Sequence, residues 1–337
     1  MNDFQAEKSL VMQFYGAIEE ADENSIANVL TQYTSDNYQF RGVHPFNEIA
    51  GAEQVATQFW QPLLKSFRNM ERRQDVFIAG ENQHDGKVWV TSMGHFMGLF
   101  DNDWLGIPKS NKVAMLRYAD FNQVENGKIV QTGFFCDIIQ LMGQVGINPL
   151  PLETGHTFIY PGPKTHDGII TSPQAAEESQ KTLDILESFI DDLSKLNVSA
   201  EDNYPSSVLE KSWHNNMAWY GPAGIGASYT IRRYQQQHSY PFRQGLKDKV
   251  FNGHIARFAE GNYAAFFGWP NLTNSPKGGF LGLPGSDTRA DMRVVDVYRR
   301  EGDKLVENWV IIDLLHWLKQ QGLDVLARTQ SIVNPQS

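Results

Sequence analysis

Trp104 to Leu150 reads WLGIPKSNKVAMLRYADFNQVENGKIVQTGFFCDIIQLMGQVGINPL, and Phe280 to Leu326 reads FLGLPGSDTRADMRVVDVYRREGDKLVENWVIIDLLHWLKQQGLDVL. Laid over one another at a shift of 176 residues, without a gap, they share 14 identities in 47 positions; average composition predicts about three. Leu105-Gly106 and Pro108 meet Leu281-Gly282 and Pro284, Arg117 and Asp120 meet Arg293 and Asp296, Asp137 meets Asp313, and Gly146 meets Gly322. A weaker register of 175 joins Gly51-Ala52 to Gly226-Ala227 and Phe67-Arg68 to Phe242-Arg243. Self-similarity at a fixed spacing is the mark of a repeated unit, so the chain reads as two copies.

Outward from this block, the order of elements is the same in both copies. Leu10, Val11, Phe14, Ala17 and Ile18 lie at helical spacing, and such a stripe predicts an amphipathic helix over Glu7 to Ala21. A second helix is expected over Ser25 to Gln32, a short strand over Tyr38 to Arg41, and a third helix over Glu53 to Phe67, bent near Pro62. Four strand-like runs follow, the last two joined at Glu125-Asn126-Gly127, a hairpin signal. Helices first and an antiparallel meander after them predict an α+β fold rather than a wound parallel sheet. Pro151 to Thr171 is punctuated by three prolines and three glycines, which marks a linker. The expected division is 1–150, a linker at 151–171, and 172–337.

The 337 residues carry 29 basic and 39 acidic side chains, a formal charge of −10. An acidic surface repels nucleic-acid backbones and anionic membranes, so neither is an expected partner. Hydrophobic residues make up 41% of the chain, ordinary for a globular protein. No run approaches the roughly 20 apolar residues of a membrane span, and MNDFQAEKSLVMQFY has no basic-then-apolar leader pattern; the expected location is the cytoplasm. The single cysteine, Cys136, forms no intrachain disulfide, and the neighbouring Asp137 opposes its thiolate. There is no His-Glu-x-x-His, P-loop, dinucleotide fingerprint or Gly-x-Ser-x-Gly. Neither a metal nor an organic cofactor is expected.

Gly94-His95-Phe96-Met97-Gly98, Leu105-Gly106-Ile107-Pro108, Asn126-Gly127-Lys128-Ile129-Val130, Asp137 and Gln144-Val145-Gly146 together resemble the SnoaL-like polyketide cyclase (ester cyclase) family of the nuclear-transport-factor-2-like superfamily. The second copy keeps Leu281 to Pro284, Asp303-Lys304-Leu305-Val306, Trp309, Asp313 and Gln320-Gln321-Gly322, with Gly268-Trp269-Pro270 where the first has Gly94-His95-Phe96. The resemblance implies a cone in each copy: a curved antiparallel sheet around helices, with a ligand pocket inside. It also implies that the chain is an intramolecular pseudo-dimer, and it leaves a further homo-oligomer open. The implied activity is a cofactor-independent aldol ring closure driven by a buried aspartate, matched here by Asp137 and Asp313. The family's strand histidine has no match in Asp120-Phe121-Asn122-Gln123 or Asp296-Val297-Tyr298-Arg299.

Two readings compete at each aspartate. In Phe135-Cys136-Asp137-Ile138 and Ile312-Asp313-Leu314 the apolar neighbours disfavour ionisation, which suits a general acid/base near neutral pH. Asp is also a preferred N-cap, and each aspartate opens a short helical pattern that ends in Gly146 or Gly322. His95 is a candidate proton carrier beside Asp137. His44, Trp60, Trp104, Asn122, Trp269 and Tyr298 are candidate pocket residues. Arg117, Asp120, Arg293 and Asp296 read as ion-pairing groups across strands or between copies. The leading expectation is an acid/base enzyme acting on a small hydrophobic carbonyl compound by cyclisation, isomerisation or hydration. The alternative is a non-catalytic ligand-binding protein, which the missing strand histidine favours; in a third reading the second copy is a structural partner with a filled interior, which Gly268-Trp269-Pro270 in place of Gly94-His95-Phe96 fits.

Overall fold

The computed structural model describes residues 3–198 and 202–333. The first half opens with α1 (Gln5–Glu19) and α2 (Ile26–Tyr33), then β1 (Thr34–Gly42) and β2 (Asn47–Ala50). A bent helical stretch follows: α3 (Ala52–Val55), a π-helical turn (Ala56–Trp60) and α4 (Gln61–Ser66). Pro62 sits in the first turn of α4, where its missing N–H costs nothing. Next come β3 (Phe67–Glu81), β4 (Val88–Phe100), β5 (Val113–Glu125), β6 (Lys128–Cys136) and α5 (Ile138–Gln144).

The second half repeats the series with α6 (Ala176–Val198), β7 (Trp213–Tyr220), β8 (Ser228–Tyr229), α7 (Ile231–Tyr234), a π-helical turn (Gln235–Ser239) and α8 (Tyr240–Gly245). It ends with β9 (Leu246–Phe251), β10 (Ala256–Glu260), β11 (Tyr263–Pro276), β12 (Ala290–Glu301), β13 (Lys304–Ile312), α9 (Leu314–Gln320) and α10 (Val325–Val333). The protein is α+β, with two curled sheets around helices. The sheet orders, β2-β1-β6-β5-β4-β3 and β8-β7-β13-β12-β11-β10, correspond strand for strand, with β9 also on β11.

Most of each sheet is the expected meander, but β1 lies parallel to β6, and β7 parallel to β13. The short strand enters from the helical layer, so its direction is set by the crossover and not by a hairpin. The early parts of the two halves match at a shift of 179, not the 175 read from sequence. The two π-turns align in this way, as do Gln61-Pro62 with Tyr240-Pro241 and Phe67 with Leu246. Nearer the middle the shift changes twice: the β10–β11 turn is shorter than the β3–β4 turn, which lowers it, and a bulge in β11 raises it again. Gly268 pairs with Val294 and Leu272 with Met292, so Trp269-Pro270-Asn271 occupies the space that His95 fills alone in β4. A Cβ on Gly268 would lie 2.2 Å from that of Asn271, so the bulge needs glycine there.

The outer faces of the sheets pack against one another through aromatics. Phe267 meets Trp89, Phe121 and Phe135 at centroid separations of 5.9, 5.6 and 5.9 Å. A Cβ on Gly133 would come within 2.6 Å of the Phe267 ring, so this glycine makes room for the cross-unit contact. Lys8 and Glu260 form a buried ion pair at 2.5 Å across the same junction. Residues 151–171 contain no helix or strand, yet they are strapped down: Phe77 N–H donates to the Gly168 carbonyl at 2.8 Å, and Gly155 N–H to that of Ile225 at 2.7 Å.

Candidate active site

A largely apolar cavity lies inside the second half. It measures about 220 Å³ and is enclosed by α6, the π-turn with α8, and the inner faces of β7, β9 and β11 to β13. Pockets that hold drug-sized ligands span roughly 300–1,000 Å³, so this one suits a smaller guest. Its walls are largely aromatic and aliphatic; Phe189, Trp213, Trp219 and Phe266 are among them.

Asp296, on β12, is the carboxylate among the described lining residues. Burial pushes its pKa up to about 6, against the lowering effect of hydrogen bonding from Asn308 and Tyr298. The Asn308 side-chain amide donates to Asp296 Oδ1 at 3.3 Å. Tyr298 and Tyr234 line the same space, and burial raises both phenols well above their usual range, so both keep their protons and act as donors. His238 and His254 are held neutral, each lowered to about 3 by burial. His238 stacks on Trp219 at 3.9 Å between centroids. Its Nδ1, like Asn271 Oδ1, meets no hydrogen-bond partner among the described residues. Such orphaned polar atoms in an apolar wall are available to a guest molecule.

The first half places Asp120 at the equivalent position and seals it. Tyr15 donates to Oδ1 at 2.5 Å and Arg72 to Oδ2 at 2.9 Å. The Arg72 guanidinium lies over the rings of Tyr15, Phe96 and Tyr118 at 3.7, 4.7 and 4.6 Å. Burial pushes the Asp120 carboxyl up, and the Arg72 charge pulls it back. Aligned through the sheets and π-turns, the residues that fill this interior are replaced by smaller or different ones in the second half. Trp60 becomes Ser239, Tyr118 Val294, Phe134 Val310, Phe96 Leu272, and Arg72 Phe251. The expected filled second copy is thus corrected: the second copy is open, and the first has the packed interior.

The residues favoured by sequence fall elsewhere. Asp137 caps α5, accepting from Gln140 N–H at 3.0 Å, and its other oxygen accepts from Ala223 N–H of the second half at 2.8 Å. Asp313 mirrors it, capping α9 through His316 N–H at 3.1 Å and accepting from His44 N–H of the first half at 2.9 Å. The crevice they share is about 10 Å³, no more than the roughly 10–15 Å³ one water requires. Burial raises both carboxyls, Asp313 to about 6. Arg117 and Arg293 recur beside them as anchors. Arg117 donates to the carbonyls of Tyr220 and Gly221 at 2.9 and 3.1 Å, and Arg293 donates to Asn47 Oδ1 at 2.8 Å.

His95 is buried on β4, with Nδ1 3.7 Å from Asp75, and is paired across the strands with Arg117. Trp104 packs in the first core against Phe46 and Phe67. Trp60 packs against Phe59, Phe96 and Phe134. Asn122 is buried between Tyr15 and Thr132. Trp269 belongs to the junction, under the Arg293 guanidinium at 3.8 Å and bonded to Glu48 at 2.9 Å. Of the candidates named from sequence, Tyr298 lines the cavity. Asp296 was visible as a recurrent acid; its access to a void was not. Among the described residues no group of three or more His, Cys, Asp or Glu side chains converges as a metal site, and no helix is long and apolar enough to cross a membrane.

Residues 258–321, which include β11 to β13 and Asp296, match the SnoaL-like polyketide cyclase family. Solved structures similar to this chain include a protein described as a SnoaL-like polyketide cyclase from Jannaschia sp. CCS1, at 17% identity and a TM-score of 0.33, covering 44% of this chain and 95% of that one. An NTF2-like protein from Burkholderia xenovorans LB400 is similar at 12% identity and a TM-score of 0.33, over 42% of this chain and 96% of that one. An LEH-like epoxide hydrolase from M. tuberculosis aligns at 12% identity with a TM-score of 0.30, over 47% of this chain and 99% of that one. No curated protein matches the sequence.

Proposed function

We propose that the second half is a cofactor-independent acid/base site for a small, largely apolar carbonyl compound, and that Asp296 is its proton carrier. The supporting observation is a carboxyl with a pKa of about 6 that opens on an apolar cavity beside phenol and amide donors. A base works best when its pKa lies near the working pH. In this reading the carboxylate takes a proton from the carbon next to the carbonyl. The C–H electron pair moves into the carbonyl, and Tyr234, Tyr298 or Asn308 donates to the oxygen that gains charge. Return of the proton to another carbon gives isomerisation; attack of the enolate carbon on a second carbonyl gives ring closure. Asp137, Asp313 and His95 enter this reading as groups that fix the junction between units. The division at 1–150, 151–171 and 172–337 goes with it, the first unit acting as the rigid partner.

The test is exchange of α-protons of small cyclic ketones in D2O, followed by NMR. The wild-type protein should accelerate exchange over buffer, with a rate rising through pH about 6 as Asp296 ionises. Asp296→Asn should reduce exchange to the buffer rate, and Asp137→Asn should keep it. A ketone that binds yet exchanges no faster than in buffer would convert the proposal into one of simple ligand holding.

A further inference from the structure

Two polar side chains on the wall of this cavity have no counterpart in the packed unit. At the shift of 179 that aligns the π-turns, His238 stands where the first half has Phe59, and Trp219 where it has Phe40. Each unit carries a ring pair here: Phe40 and Phe59 lie 5.1 Å apart between centroids, and Trp219 and His238 stack at 3.9 Å. The open unit thus keeps the aromatic contact and exchanges a carbon edge for nitrogen. Asn271 enters through the bulge in β11, its Cβ 2.2 Å from the place that a Cβ on Gly268 would take. Both side chains line the cavity.

Gly268 pairs with Val294, two residues before Asp296 on the same face of β12. Asn271 therefore rises from a position diagonal to Asp296, and such neighbours stand about 7–8 Å apart. That gap suits a single ring with its reacting carbon at Asp296 and a substituent at Asn271. The chemistry of the substituent follows from the atoms that meet it. Asn271 Oδ1 and His238 Nδ1 are buried without a hydrogen-bond partner among the described residues, a state in which few buried polar atoms are left. Asn271 Oδ1 only accepts, so its partner must donate; a carbonyl or a carboxylate has no proton to give. Burial alone holds His238 neutral, so neither side chain offers the counter-charge that a buried ammonium needs. A hydroxyl donates and accepts, and it carries no charge.

We propose that the ligand of this cavity is a small cyclic ketone bearing a hydroxyl remote from its reacting carbon, and that Asn271 Oδ1 is the acceptor that selects it. This rests on the reading of the cavity as the ligand site, to which it adds a substrate class.

The probe pair is 4-hydroxycyclohexanone and 4-methylcyclohexanone, nearly equal in size and differing in the hydroxyl. Dissociation constants are read at neutral pH by titration with saturation-transfer NMR. The hydroxy ketone should bind about tenfold tighter than the methyl ketone, as a buried acceptor that gains its partner is worth. Asn271→Leu, of similar size, should remove or reverse the preference; Asn271→Asp, which keeps an acceptor, should retain it. Equal binding of the two ketones by the wild-type protein, or a preference for methyl, would mean that water rather than a ligand meets Asn271, and it overturns the substrate class while leaving the cavity as ligand site. A preference unchanged in Asn271→Leu overturns the assignment to Asn271. Failure of both ketones to bind overturns the cavity as ligand site together with the class.

Discussion

Asp120 and Asp296 occupy the same position on equivalent strands, and their surroundings are opposite: one is paired and enclosed, the other faces a cavity. Around Asp120 an arginine, a tyrosine and a backbone amide satisfy both oxygens, and Trp60, Tyr118 and Phe134 fill the remaining volume. Around Asp296 these aromatics are replaced by Ser239, Val294 and Val310, and the counter-charge is gone. A carboxylate that is fully paired is structural; one that is desolvated and only partly bonded is poised to exchange a proton. The comparison teaches that recurrence of a residue in two copies says nothing about shared function until its neighbours are compared.

The sharpest way to break this contrast is to exchange the side chains that create it. Trp60→Ser should cost about 3–5 kcal/mol, as large deletions in a packed core do, measured by urea unfolding. Ser239→Trp should cost less, because a cavity of about 220 Å³ receives the ring, and it should abolish ligand binding. Similar costs for both changes would mean that the two interiors are packed alike.

Next come the aspartates themselves, for which opposite signs are expected. Asp120→Asn leaves the buried Arg72 without its counter-charge and should destabilise by about 3–5 kcal/mol. Asp296 has a folded pKa of about 6, against about 3.9 for an unfolded chain. The native state therefore binds more protons between these values, and wild-type stability falls as pH rises from about 4 through about 6. Asp296→Asn removes that loss, so the variant should exceed wild type by about 2–3 kcal/mol at pH 8. The difference should vanish near pH 4. Unfolding curves at the two pH values check it, and the same sign at both aspartates would end the distinction.

The smallest expected effect belongs to the junction. Asp137→Ala removes a helix cap and leaves the Ala223 N–H unanswered, for about 2 kcal/mol in all. Ligand binding in the second half should be retained in this variant. A selective loss of binding would place the junction within the functional machinery.

Much of the architecture could be read directly. The spacing of Leu10, Val11, Phe14 and Ile18 set α1, the Glu125-Asn126-Gly127 signal marked the hairpin between β5 and β6, and the 176-residue shift aligned the last strands of both halves. The early register was misread at 175, because the helical layer conserves shape with few identities, and only the matched π-turns reveal 179. Asp137 and Asp313 were legible as caps from their place before short helices ending in glycine. Their contacts with Ala223 and His44 were not, since these join residues 86 and 269 positions apart.

The order of elements and the self-similarity of the two halves were legible in the sequence alone, because hydrophobic period and turn chemistry act over a few residues at a time. Which acid meets a void was decided by tertiary structure. Cavity volume is what remains after side chains from α6, α8 and five strands have been placed together, and a carboxyl's pKa follows from that enclosure. Trp60 against Ser239 and Arg72 against Phe251 are ordinary differences along the chain; only when folded onto Asp120 and Asp296 do they close one interior and open the other.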